Sequence, residues 1–201
     1  PSDKDRMYRV LGRIRRFQRE HGSRQVQGRW AYAKRLNTEL GKKIAREIVF
    51  YASENRADVI VFEYLEMKGK LSGKKKQKLQ MWRKRDIQKR CGQQAHRKGI
   101  RISRICAWNT SRLAFDGSGK IDRDIQDHRL CTFQNGKRYN CDLSASYNIG
   151  ARYFIREILK PLPATERSLL EAKVPAVKRR TSCVYADLRD LISEMELQKA
   201  A

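Results

Sequence analysis

Cys141-Asp142-Leu143-Ser144-Ala145-Ser146-Tyr147-Asn148-Ile149-Gly150 is the stretch that decides the fold. It sets a carboxylate one step before a helix whose first turn is made of small residues. Ser144 is a good N-cap, and Ala145, Ile149 and the aliphatics beyond fall at helical spacing. Asp142 then stands at the mouth of a helix N-terminus, where the free N–H groups favour an acid by about 0.3–1 kcal/mol. A second acid sits in a similar place upstream. Ala57-Asp58-Val59-Ile60-Val61-Phe62-Glu63-Tyr64-Leu65 is a short apolar run, rich in β-branched residues, that reads as a buried central strand ending on Glu63. A carboxylate after such a run is costly to bury unless it is paired or metal-bound. A strand-terminal acid and a helix-leading acid are a common way to hold divalent cations with hard oxygen donors.

Composition sets the limits. The 201 residues suffice for one domain with a core, or one domain and a small appendage. Lys and Arg number 46 against 22 Asp and Glu, a formal charge of +24 that calls for a polyanionic partner, nucleic acid first. The basic residues are interleaved with apolar patterns rather than blocked into a tail, which argues against a purely structural basic protein. No apolar stretch has the length of a membrane span and no signal peptide is visible. Five cysteines at irregular spacing make no disulfide framework, so a reducing cytoplasm is expected. His21, His96 and His128 are scattered and offer no histidine-centred chemistry.

Outward from the deciding stretch, the periodicities alternate between helix and strand. Met7, Val10, Leu11, Ile14 and Phe17 form one stripe, with Ser2 and Asp5 as a capping pair. After a break at Glu20 to Ser23, a longer helix runs from about Val26 to Tyr51 with Trp30, Ala33, Leu36, Leu40, Ile44 and Ile48 inward. Beyond the Glu63 strand and the loop that follows it, Lys74, Lys75, Lys76, Lys78, Arg83, Lys84 and Arg85 lie on a helix that turns Leu79, Trp82, Ile87, Cys91 and Ala95 inward. At that charge density its basic face reads as a phosphate track. Ile100 to Trp108 is the next strand. Asn109 to Asn140 is a glycine-punctuated insertion in which Asn135-Gly136 predicts a two-residue hairpin turn. On the Asp142 helix, Arg152 and Arg156 lie one turn apart, placed to face phosphates or to solvate the helix, and Asn148 is either a simple core amide or a hydrogen-bond partner for Asp142 or a neighbouring loop. The helix stops at Lys160-Pro161-Leu162-Pro163. Short helices near Thr165 to Ala172 and Tyr185 to Gln198 make a less basic tail, read as packing or a partner surface. Trp30, Trp82 and Trp108 are read as core.

This order of elements resembles the C-terminal half of a RuvC-type, RNase H-like nuclease domain. The resemblance is to the transposon-encoded TnpB (OrfB) proteins and the type V CRISPR effectors. Val59 to Leu65 matches that family's second motif, an apolar strand ending in Glu. Asp142-Leu143-Ser144-Ala145-Ser146-Tyr147-Asn148-Ile149 matches its third, and Thr110-Ser111 matches the dipeptide that opens its zinc-ribbon insertion. The resemblance implies an α/β chain with a partial RNase H-like (RuvC) fold. Its parts would be a helical hairpin at 1–55, RuvC-like strands and a basic helix at 56–108, and a degenerate zinc-ribbon or β-hairpin insertion at 109–141. The third-motif helix would occupy 142–160, and a helical tail 161–201. It further implies an RNA-guided DNA endonuclease of the prokaryotic cytoplasm and nucleoid. Glu63 and Asp142 would be catalytic acids holding Mg²⁺ or Mn²⁺, and guide RNA and target DNA the partners. The same lineage also accommodates a guide-dependent binder or repressor that does not cut.

Two departures stand out. The family's first catalytic Asp lies upstream of the hairpin at which this chain starts, so a missing N-terminal region or a second chain is expected to supply it. The family's Cys-x-x-Cys pairs are absent, and Arg112 to Gly117 stands where the first would be. A two-residue turn would put Cys131 opposite Asn140, with Cys131 and Cys141 on opposite faces, so zinc is not expected.

Overall fold

The computed structural model describes residues 3–22, 26–64 and 84–200. These form a helix-rich α/β chain that divides into two compact units. One runs up to Ile60 and takes in the segment that ends at Ile102. The other holds the end of the first strand, from Val61, and the chain from Ser103 onward. Among the described residues, no helix is long and apolar enough to cross a membrane.

In the first unit, α1 (Asp3–His21) and α2 (Gln27–Glu54) form the expected hairpin. Met7, Leu11 and Ile14 recur at helical spacing and bury against Ala33, with Trp30, Leu36 and Leu40 around them. Farther along α2 the inner face is not the expected one. Ile44 is exposed, and Gly41, Ala45, Val49 and Ala52 are buried instead. That small-residue stripe receives α3 (Lys84–His96) closely enough for the Cys91 thiol to reach the Ala45 carbonyl, 3.7 Å away. Both helices end in Schellman motifs. After α3, the Gly99 and Ile100 N–H groups donate to the carbonyls of His96 and Ala95, with Gly99 at φ +70°. After α2, Arg56 and Ala57 donate to Ser53 and Ala52, and Arg56 takes the left-handed position at φ +51°. Ser2, Leu79 and Trp82 lie outside the described residues.

β1 (Val59–Tyr64) and β2 (Arg101–Cys106) pair as a two-stranded sheet. Val59 to Glu63 are only half-buried, so the run expected to be a buried central strand is partly covered.

The second unit is organised around α4 (Cys141–Leu159). Its far end, Ala151, Ile155 and Leu159, packs with α5 (Ala164–Lys173), a 3₁₀ turn (Pro175–Arg179) and α6 (Tyr185–Ala200). These bury Leu170, Val177, Cys183 and Leu191 into one core. The tail is therefore packing, and it supplies most of that core.

Ahead of α4, β3 (Asp122–Arg123), β4 (Leu130–Thr132) and β5 (Arg138–Asn140) form an antiparallel sheet. The hairpin is closed by three residues, 134–136, because Phe133 N–H bonds the Lys137 carbonyl and Gly136 takes φ +83°. Relative to the expected two-residue turn, the register slips by one and Cys131 pairs with Tyr139. A one-residue slip exchanges the faces of a strand. Cys131 and Cys141 consequently share a side, buried together with Ala114 and Phe133. Burial and the neighbouring Cys141 push the Cys131 thiol up from its ordinary value. Phe115 completes this small core, with its ring against those of Phe133, Tyr139 and Tyr147.

Candidate functional site

Asp142 lies inside the first turn of α4, not one step before it, because the cap is Asn140. The Asn140 side-chain oxygen accepts from the N–H groups of Asp142 (2.9 Å) and Leu143 (3.1 Å), satisfying two of the free donors of the helix start. Asn is among the best N-caps, so this signal was present in the sequence. Ser144, expected to cap, lies four residues past the cap and is buried. Its hydroxyl turns inward toward the Leu113 carbonyl, 3.5 Å away. The solvent side of the helix start presents Asp142, Leu143, Ser146 and Tyr147.

Glu63 sits near the end of β1, half-buried, on the strand face it shares with Val59 and Val61. Glu63 and Asp142 belong to the same unit. Both offer hard oxygen donors of the kind that Mg²⁺ or Mn²⁺ takes. Among the described residues, no group of three or more His, Cys, Asp or Glu side chains is gathered so as to hold a metal ion.

The loop between β2 and the insertion is held to α4 by two buried polar side chains. Asn148, fully buried, donates to the carbonyls of Thr110 (3.1 Å) and Leu113 (2.9 Å) and accepts from Tyr185 N–H (3.2 Å). It is buried and bonds the neighbouring loop, the expected alternative to pairing with Asp142. Arg152, only 3% exposed, donates to the carbonyls of Cys106 (2.9 Å), Trp108 (2.7 Å) and Cys183 (2.9 Å). Its Nη2 is buried with no hydrogen-bond partner. Burial pulls the guanidinium down from its ordinary value.

Arg152 is thus removed from the phosphate-facing set, since its guanidinium is buried and aimed at backbone carbonyls. Arg156 is likewise tied down, donating to Glu157 (2.9 Å), the Arg104 carbonyl (3.2 Å) and the Ser103 hydroxyl (2.7 Å). Of the basic track, Arg85 is exposed on α3 and Lys84 begins that helix, whereas Lys74, Lys75, Lys76, Lys78 and Arg83 lie outside the described residues.

The backbone held by Arg152 and Asn148 carries Trp108, which is 65% exposed and therefore not core. Beside it opens a groove of about 520 Å³, flanked by Arg112, Lys120 and Arg123. None of these three cations was singled out in the sequence as a binding residue. An aromatic residue followed closely by scattered basic ones was the only signal they gave.

No protein-family model matches the sequence, and no curated protein matches it. The fold is similar to that of a chain in the cryo-EM structure of a Cas12f1–sgRNA–target DNA complex. The TM-score is 0.52 and the identity 18%, over 74% of this chain and 42% of that one. The crystal structure of Alicyclobacillus acidoterrestris C2c1 with single-guide RNA is also similar, with a TM-score of 0.49 and 17% identity over 74% of this chain and 19% of that one. The chain thus spans less than half the length of either. What it shares with Cas12f1 is a helix-rich α/β fold over three quarters of its own length.

Proposed function

We propose that this chain is the C-terminal part of an RNA-guided, divalent-metal-dependent DNA endonuclease of the TnpB and type V kind, built on an RNase H-like nuclease fold. The observation that carries the reading is the fold shared with the Cas12f1 complex over 74% of the chain. Glu63 and Asp142 belong to one compact unit, on the strand and the helix whose sequences resemble the second and third motifs. The +24 charge fits guide RNA and target DNA as partners.

In this reading Glu63 and Asp142 each lend a carboxylate to the metals. Asp142 is fixed by the Asn140 cap and favoured by the helix start. Bound in such a site, paired divalent ions activate a water and stabilise the leaving oxygen of a phosphodiester. The donors are of the right chemistry but too few, so a further acid comes from outside the described residues. The location in the prokaryotic cytoplasm follows from the same reading.

Cleavage tests it. The 201-residue chain alone gives no DNA cleavage with Mg²⁺ or Mn²⁺. The longer protein with guide RNA, carrying an upstream strand with an Asp, cuts target DNA. Glu63→Gln or Asp142→Asn lowers that rate by about a thousandfold or more, since an amide keeps the shape and loses the charge. Robust cleavage by the isolated chain would falsify the shared-acid assignment. That no group of three or more His, Cys, Asp or Glu side chains is gathered among the described residues also favours a second reading, a guide-dependent binder that does not cut. Guide and target binding by the longer protein without cleavage would establish it.

A further inference from the structure

From the groove at Trp108 we infer a single-strand nucleic-acid site, in which one base stacks on the indole and Arg112, Lys120 and Arg123 hold the flanking phosphates. It deepens the reading above by naming a ligand and a place, and it rests on that reading only for the expectation that nucleic acid is the partner.

Trp108 is the first observation. A side chain of this size usually buries most of its surface, yet here it is 65% exposed while its backbone is held from α4. Arg152 grips the carbonyl of Trp108 itself, at 2.7 Å, and that of Cys106 just before it. Asn109 then turns the chain through the left-handed region at φ +57°. The next residue, Thr110, is buried, with its N–H and hydroxyl on the Ala107 carbonyl and its own carbonyl on Asn148. A rigid, exposed ring loses little freedom when a base covers it.

Charge and shape are the second. Among the described residues, the groove beside the indole is lined by three cations and no acid. Ile121 and Arg123, on either side of Asp122, both line it. Arg123 is set by its bond to the Ser111 carbonyl, 3.2 Å away, and Lys120 by the bridge between its backbone and that of Leu113. Leu113, which lines the groove, also receives the Asn148 bond from α4, the helix that begins with Asp142. An aromatic platform flanked by cations, without an ordered set of base-edge donors, is the arrangement that takes single strands with little regard to sequence. A duplex offers no free base face to the ring.

The test is anisotropy of labelled dT12 and U12 strands, with a 12-base-pair duplex as control, on the full chain. Trp108→Ala weakens single-strand binding about tenfold. Trp108→Phe, which keeps a stacking face, restores most of it, and duplex binding moves little. Changing Arg112, Lys120 and Arg123 together to Gln lowers the single-strand log–log salt slope by about two, from about 0.7 per lost contact. The dT12 and U12 arms separate a DNA track from an RNA track. All these side chains are exposed, so unchanged thermal melting is expected and is measured alongside. Unchanged single-strand affinity in Trp108→Ala, or equal losses on duplex and single strand, overturns the groove and leaves the nuclease reading standing. A native chain that binds no nucleic acid overturns both. Groove-dependent binding in a longer protein that never cuts keeps the groove and removes the nuclease.

Discussion

The two units solve the same packing problem by different means. The first joins α1, α2 and α3 through apolar and small side chains in helical register, with Met7, Leu11 and Ile14 at one end and Ala45, Val49 and Ala52 at the other. Its buried polar groups, Asn37 and Gln88, are few. The second must hold an irregular loop against a helix, and apolar contact cannot satisfy loop carbonyls. It buries Asn148 and Arg152 instead and spends their donors on the carbonyls of Cys106, Trp108, Thr110, Leu113 and Cys183. Helices satisfy their own backbones and need only a matching stripe. A loop under a helix needs polar side chains aimed at it.

Breaking that difference should have its largest effect at Asn148. Asn148→Ala leaves two carbonyls and the Tyr185 N–H without their partner and should cost about 3 kcal/mol, at about 1 kcal/mol per group. Urea unfolding measures it, and the indole environment of Trp108 should loosen with it. A loss below about 1 kcal/mol would show that the loop is held by other means.

The first unit is better probed at its helix end. Arg56 occupies the left-handed position that favours glycine. Arg56→Gly relieves about 1–2 kcal/mol of backbone cost, offset by about 0.5–1 kcal/mol of added freedom in the unfolded chain. A gain of about 0.5 kcal/mol is expected, visible as a small rise in Tm. A loss would mean that the Arg56 side chain makes a contribution larger than the strain.

The smallest effect concerns the start of α6. Asp187 accepts from Val184 N–H at 2.7 Å, closing the cap from the third helical position. Burial raises its carboxyl above the ordinary value, chiefly against the lowering pull of that same bond. A carboxyl raised on folding contributes stability that is complete below its unfolded value, near 3.8, and lost as pH rises through its folded value. Asp187→Asn should therefore flatten the stability profile just above pH 3.8 and leave the rest of the curve unchanged. An unaltered profile would place the titration elsewhere.

The strand that carries Glu63, the helix that carries Asp142 and most other helices were legible in the sequence because their signals are local. The stripe of α1, the prolines after α4 and the apolar run before Glu63 each speak within a few residues. Errors arose where the outcome depended on register. Asn140 rather than Ser144 starts α4, since the cap is decided by which side chain reaches the free N–H groups. The hairpin at 134–136 closes one residue wider than expected, and that step moved Cys131 to the side of Cys141.

The roles of Arg152, Arg156 and Trp108 were not legible in the sequence. Spacing along a helix tells which residues share a face but not what covers that face. Arg152 and Arg156 do lie one turn apart, yet the chain that covers them, from β2 and the segment after the 3₁₀ turn, comes from distant sequence. By itself the sequence determined the charge, the helical hairpin, the strand with Glu63 and the helix with Asp142, since each follows from local chemistry. Tertiary structure alone decided which arginines are spent on backbone carbonyls and which remain for a ligand. A buried cation must find acceptors, and these are brought to it only when remote segments close around it.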